Sequence, residues 1–443
     1  MAIRLSDHFT YGKLLRFTLP SIVMMIISSL YSVVDGLFVS NFVGDLALSA
    51  VNIVFPVVMI VGSVGFMLGA GGSAIVAKTL GEGKEDLANR YFSMIISGVL
   101  IAGALVSVIC VIFIESIVRF AGASDLLLSD CIAYGRIMLG GVTAFMLQVS
   151  FLNFFVVAEK PHFGLFMSLG AGGTNIFLDY LFIVVLKMGI AGAGLATVLG
   201  YCVGGIIPLL YFLFVKKEGL RLVRPGFYPR QLLHAVTNGS SEMMSNVSAS
   251  VVGILYNLQL MRIIGETGVA AYSVMMYVDF VFVAAFLGYS MGSAPVVSYH
   301  YGAENVQELK NVFKRSMRII LTAALAMVGL SELLSYPLAY AFVGYDRQLM
   351  EMTVHGFRIF ALCYLFCGMN IYASAFFTAL CNGVISACIS FIRSLLFRGG
   401  MVLLMPALFG LDGIWMAVVV AEGAGVVVSW SFLLLNRKKY RYL

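Results

Sequence analysis

Gly173-Thr174-Asn175-Ile176-Phe177-Leu178-Asp179-Tyr180-Leu181-Phe182 sets an amide and a carboxylate four residues apart inside an apolar run. On a helix that spacing puts both side chains on one face, one turn apart. No charge interrupts the sequence between His162 and Asp179, or from there to Lys187. A run of that length can cross a bilayer. A carboxylate at bilayer depth costs about 2.5–3.5 kcal/mol on an insertion scale. Asp179 is therefore expected to face a protein interior or a water-filled cavity and to have a use there.

The rest of the chain reads as a scaffold around that helix. Of 443 residues, 61% are hydrophobic and only 11% charged, with a mean hydropathy of +0.98. Soluble domains carry roughly 25% charged residues, so the chain is an all-α polytopic membrane protein. The net charge of +6 is scattered and points away from nucleic acid. The seven cysteines fall mostly in apolar runs and form no CxxC pair. The first apolar run, Leu14 to Ser40, is too long for a cleavable signal. Twelve apolar runs follow one another, at about 14–40, 47–76, 91–114, 131–157, 162–186, 190–215, 235–262, 269–298, 316–339, 354–380, 384–409 and 412–435. The basic residues orient them. Arg119, Arg136, Lys187, Arg262, Arg347 and Arg358 lie on one side and Arg393 and Arg398 within a span, which leaves 20 of the 28 Lys and Arg, Lys216 and Lys217 among them, on the side of the N-terminus. The bias predicts that both termini are cytoplasmic.

The chain repeats itself. Gly44-Asp45-Leu46-Ala47-Leu48-Ser49-Ala50 matches Gly265-Glu266-Thr267-Gly268-Val269-Ala270-Ala271, and Gly189-Ile190-Ala191-Gly192 matches Gly410-Leu411-Asp412-Gly413, both at the same offset. The expected domains are a six-helix lobe over 1–215, a linker over 216–234 and a second six-helix lobe over 235–443, related by pseudo-symmetry about a central cavity. The offset maps Asp35 to Tyr256, Asn175 to Leu396, Asp179 to Gly400 and Thr197 to Val418. Packing needs should be alike in both halves, so a polar cluster found in only one of them reads as functional.

Several segments together resemble the multidrug and toxic compound extrusion (MATE) family, specifically its DNA-damage-inducible-F-like bacterial branch. They are Leu19-Pro20-Ser21, Val34-Asp35-Gly36-Leu37-Phe38-Val39, the Gly44–Ala50 segment, Ala158-Glu159-Lys160-Pro161 and Asn175-Ile176-Phe177-Leu178-Asp179. The resemblance spans essentially the whole chain. It implies twelve transmembrane helices in two bundles around a V-shaped cavity, and export of amphipathic, often cationic compounds in exchange for Na⁺ or H⁺. Carried over by motif, it implies a cation site at Asp35, Asn175, Asp179 and, from Gly194-Leu195-Ala196-Thr197, Thr197.

The chemistry of these residues agrees with that implication. Two carboxylates in one dry pocket do not both stay charged and unpaired, and a shared proton or a Na⁺ resolves the conflict. Carboxylate, amide and hydroxyl oxygens suit a hard cation. Candidates for the substrate cavity are Tyr31, Gln148 and Asn153 in the first half and Glu242, Asn257, Asp279 and Arg398 in the second. Arg393, nearer the inner end of its span, is expected to snorkel to the surface. Together with the apolar runs, the resemblance implies a multi-pass transporter of a bacterial or archaeal inner membrane, working as a monomer on small amphipathic molecules without an organic cofactor. A lipid-linked saccharide flippase is the alternative, and it would need a strongly basic cavity. An enzyme is not expected, since no metal set, nucleophile–base pair or cofactor loop is visible.

Overall fold

A computed structural model describes residues 3–215, 218–344 and 346–443, with backbone alone at residues 32, 33, 37, 40, 45, 266, 270, 341 and 342. Lys216 and Lys217, counted in the charge bias, lie outside the described residues. The first half runs through α1 (Tyr11–Phe42), α2 (Asp45–Gly81), α3 (Glu85–Ile112), α4 (Ile114–Phe120), α5 (Leu128–Gly140), α6 (Val142–Val157), α7 (Pro161–Asp179) and α8 (Gly189–Leu210). The second runs through α9 (Pro229–Ile263), α10 (Glu266–Gly302), α11 (Val306–Val343), α12 (Arg347–Ala361), α13 (Tyr364–Ala379), α14 (Gly383–Phe391) and α15 (Arg398–Tyr440). Segments of π-helix follow α7, α8 and α14, at Tyr180–Val185, Tyr211–Val215 and Ile392–Phe397.

Apolar runs make the helices and polar residues between them make the ends. Asn305 accepts from the Glu308 backbone N–H at 3.1 Å, and Asp346 from those of Gln348 at 2.9 Å and Leu349 at 3.1 Å, satisfying donors that a helix start leaves open. Among the described residues, eight helices are long and apolar enough to cross a membrane, and the bent pairs α5–α6 and α12–α13 bring these to ten. One of the eight, Gly383–Tyr440, is interrupted at Gly410, whose φ is 59°, and counts as two crossings. The twelfth is α9, whose 35 residues are long enough but rich in Asn, Ser and Gly.

The two lobes repeat their internal contacts. Gly204 meets Gln148 in the first, as Gly425 meets Asn370 in the second. Gly65 against Met146 becomes Phe286 against Gly368, and Gly194 against Tyr134 becomes Trp415 against Gly356. In the last two pairs the glycine changes sides, so the volume is conserved while the bulky partner comes from the other helix.

The lobes meet at the end that carries both termini. Gly239 of α9 lies against Met67 and Gly71 of α2, and Gly292 of α10 against Thr18 and Ser21 of α1. Gly81 and Gly302 pack on Tyr299 and Lys78 respectively. At the other end, Gly36, Gly44, Gly253 and Gly265 have nothing within 4 Å of a would-be Cβ. The V is thus closed at the terminal-bearing end and splayed at the opposite one.

The N-terminal segment straps that closed end. Leu5 N–H donates to Glu159 Oε1 at 2.6 Å, Phe9 N–H to Glu308 Oε1 at 2.8 Å, and His8 Nδ1 lies 2.6 Å from Glu308 Oε2. Asn311 Nδ2 holds both the Phe9 carbonyl and Glu308, at 2.9 and 2.7 Å. Glu308→Ala should release residues 3–10, at a local cost of about 1.5–3 kcal/mol for each bond lost to the charged group. Amide exchange at Phe9 is the readout. Exchange as slow as in the parent would show that the buried Leu5 and Phe9 side chains, not Glu308, anchor the strap.

Candidate functional site

The first lobe brings Asp35 of α1 and Asp179 at the end of α7 together, within reach of a shared hydrogen bond should one be protonated. Asp179 is 0% exposed and Asn175, one turn earlier, is 4% exposed. Asp35 Oδ1 and both carboxylate oxygens of Asp179 are buried without a hydrogen-bond partner. Buried polar atoms are nearly always paired, and buried carboxylates more so. Three of the buried oxygens without a partner thus belong to two neighbouring carboxyl groups.

The backbone sets this up. The π-helical turn starts at Tyr180, immediately after Asp179, and such turns re-aim side chains at functional sites. Gly200 lets α8 approach until a Cβ there would stand 3.2 Å from Asn175 Cβ. That approach brings Thr197 alongside, and Asn175 Nδ2 donates to Thr197 Oγ1 at 3.4 Å. Thr197 Oγ1 in turn donates to the Ala193 carbonyl at 3.0 Å. Two carboxylates, an amide and a hydroxyl are thus neighbours, and their oxygens are of the type that hard cations take.

Other candidates separate into three groups. Tyr31 and Gln148 join this site: Gln148 Nε2 donates to the Tyr31 hydroxyl at 3.5 Å, and Gly172 of α7 packs on the Tyr31 ring. Asn153 does not, because its Nδ2 donates to the Val149 carbonyl of its own helix at 3.1 Å and lies against Gly69 of α2. Asn257 is exposed on α9. Glu242, half-buried on α9, lies near enough to Arg393 to feel its charge, as Asp279 of α10 does with Arg398.

Arg393 does not snorkel. It is buried, and its Nε donates to Glu422 at 2.9 Å. A guanidinium with an acid at its own depth gains more from pairing than from reaching for the surface. Glu422 is the residue that sequence reasoning missed. It is a lone acid deep inside the run 412–435, and the rule that singled out Asp179 applies to it equally. Tyr134 and Tyr201, both close to Asp35, were missed as well. Tyr201 lies four residues after Thr197, on the same helix face.

Two six-helix lobes with a polar cluster at bilayer depth define a membrane transporter fold. The profile of the MatE family matches residues 20–181 and 243–399, most of the chain, and the protein belongs to that family. The multidrug export protein MepA of Staphylococcus saprophyticus is 24% identical over 452 residues, covering 97% of this chain and 94% of its own. MepA of Staphylococcus haemolyticus is 24% identical, covering 93% and 90%. Among solved structures, an outward-facing multidrug resistance MATE transporter superposes with a TM-score of 0.91 at 23% identity, over 98% of both chains. A transporter from Pyrococcus furiosus, described as having a binding pocket of reverse polarity, superposes at 0.89 with 24% identity, over 98% of this chain and 97% of its own.

Proposed function

We propose that the protein is a secondary antiporter that exports amphipathic, cationic organic compounds in exchange for Na⁺ or H⁺, with Asp35, Asn175, Asp179 and Thr197 holding the coupling ion. The observation that carries this reading is the trio of unpaired, buried carboxylate oxygens on Asp35 and Asp179. A bound cation or proton satisfies them, and its loss leaves two like charges facing each other in a dry site. The two states of the site therefore differ in free energy, and that difference can bias the lobes between conformations. With both termini cytoplasmic, the V described above opens outward, toward the side where cargo leaves and the ion enters. Names of the MepA relatives support the multidrug class of cargo.

The flippase alternative needs free positive charge within the cavity. Arg393 and Arg398 are both engaged by Glu422, which argues against it. Transport in proteoliposomes under separately imposed Na⁺ and proton gradients, across a panel of lipophilic cations, tests the proposal. At least one gradient should drive uphill movement of at least one cation. Movement that ignores both gradients would refute the antiport assignment.

A further inference from the structure

The second lobe holds a carboxylate as deeply buried as Asp179, in the opposite electrostatic situation. Glu422 of α15 is 0% exposed. Its Oε1 accepts from Arg393 Nε and Arg398 Nε, both at 2.9 Å, and lies 2.7 Å from Arg398 Nη2. Its Oε2 accepts from Arg393 Nε at 2.9 Å and from Asn370 Nδ2 at 2.8 Å. Asn370 Oδ1 accepts in turn from Ser429 Oγ at 2.8 Å, which fixes the amide. The π-helical turn Ile392–Phe397 contains Arg393 and ends just before Arg398. Its i→i+5 hydrogen bonding stacks residues five apart, which aims Arg393 and Arg398 at one acid.

The internal repeat shows where this cluster belongs. At the offset of the repeated motifs Glu422 corresponds to Tyr201, and Asn370 and Cys367 correspond, to within one position, to Gln148 and Phe145. Tyr201 packs on Phe145 at 4.8 Å between ring centres and lies close to Asp35. Arg393 Nη2 approaches Cys367 Sγ at 3.5 Å. Glu422 therefore occupies, in its lobe, the place that borders the ion-site carboxylates in the other. There the acids have oxygens without partners; here every acceptor is filled by the chain's own donors.

We propose that Glu422 marks a second cation site, at the place in its lobe that corresponds to the border of the first, occupied permanently by the tethered guanidinium groups of Arg393 and Arg398, so that only the first lobe exchanges its cation. The proposal rests on the reading of the first-lobe site given above. A guanidinium supplies the positive charge and fork of donors that a buried carboxylate needs, and being covalently attached it cannot leave with a transport cycle. Solvent has little access, with side-chain exposures of 10% for Arg393 and 23% for Arg398. The triad's surplus positive charge faces Asp279 beside Arg398 and Glu242 beside Arg393.

The test is equilibrium exchange of radioactive Na⁺, with proton uptake followed in parallel, on the purified full chain. Asp179→Asn should remove all exchange. Adding Arg393→Met and Arg398→Met to it should restore one cation per chain, and adding Glu422→Gln should remove that one again. Cation exchange that persists in the Asp179→Asn protein, with its native triad, and disappears with Glu422→Gln would overturn the proposal. So would a folded arginine double variant that takes up neither Na⁺ nor a proton. If that variant does not fold, the Asp179→Asn comparison decides alone. A parent protein that exchanges no cation would refute the first-lobe reading and still leave the arginine variant able to gain one.

Discussion

Asp179→Asn is expected to uncouple efflux from the ion gradient while leaving the protein folded and no less stable. The change replaces a fully buried carboxyl group whose two oxygens have no hydrogen-bond partner. An unpaired carboxylate at that depth costs about 2.5–3.5 kcal/mol on an insertion scale, so its loss should not lower the melting temperature and should tend to raise it. The new carboxamide has an N–H to offer Asp35 Oδ1, which mimics the protonated pair. The site would then be held in its satisfied state and could no longer respond to a gradient. Coupling free energies between sites are typically about 1–3 kcal/mol, or roughly 5–150-fold in affinity. A loss of that order in ion-driven transport is expected, with substrate binding preserved. Vesicles of this variant that export at the parental rate would rule out Asp179 as part of the coupling site. Destabilisation with loss of substrate binding would instead reveal a helix-bridging role, in which polar side chains hold spans together.

Gly239→Val acts on the other requirement, closure. A side chain at Gly239 would overlap the Met67 carbonyl oxygen, and Gly71 stands directly opposite. Helix backbones approach this closely only where neither carries a Cβ. The variant must part α2 from α9, and overpacking of that kind costs about 1–3 kcal/mol. Two conformations of a transporter differ by only a few kcal/mol, so the equilibrium should tip away from the form closed at the terminal-bearing end. Spin labels on α2 and α9 at that end should report a longer distance, and transport should fall about tenfold or more. Each lobe keeps its own core, so helix content should be unchanged. Gly253→Ala is the control. It has nothing within 4 Å of the added Cβ and should be neutral or gain up to about 1 kcal/mol from helix propensity. An unchanged label distance in Gly239→Val would show that the seam is loose enough to absorb a side chain.

Both predictions start from residues that stand out differently in the sequence. Asp179 is visible at once, because a charge in a long apolar run has few innocent explanations. Gly239 is not, because a glycine next to Asn238 and Ser240 reads as any flexible polar stretch. Its use depends on Met67 and Gly71, which belong to the other half of the chain. Arg393 shows the same limit. Its place near the inner end of a span suggested a reach for the surface, but Glu422 lies well further on, beyond the Gly410 break, and only folding sets the two side by side.

What this sequence determined by itself was its solvent, its number of crossings, its internal repeat and the presence of a polar cluster in the first half. Those follow from properties that are local or periodic along the chain: apolar length, basic residues at span ends, and motifs recurring at a fixed offset. What only tertiary structure decided was the state of each buried charge. Asp179 and Glu422 are both acids in apolar helices, yet among the described residues one has no hydrogen-bond partner and the other is saturated by two arginines. That difference depends on which helices pack together and on the rotation a π-turn imparts, and neither is written in the neighbours of either residue.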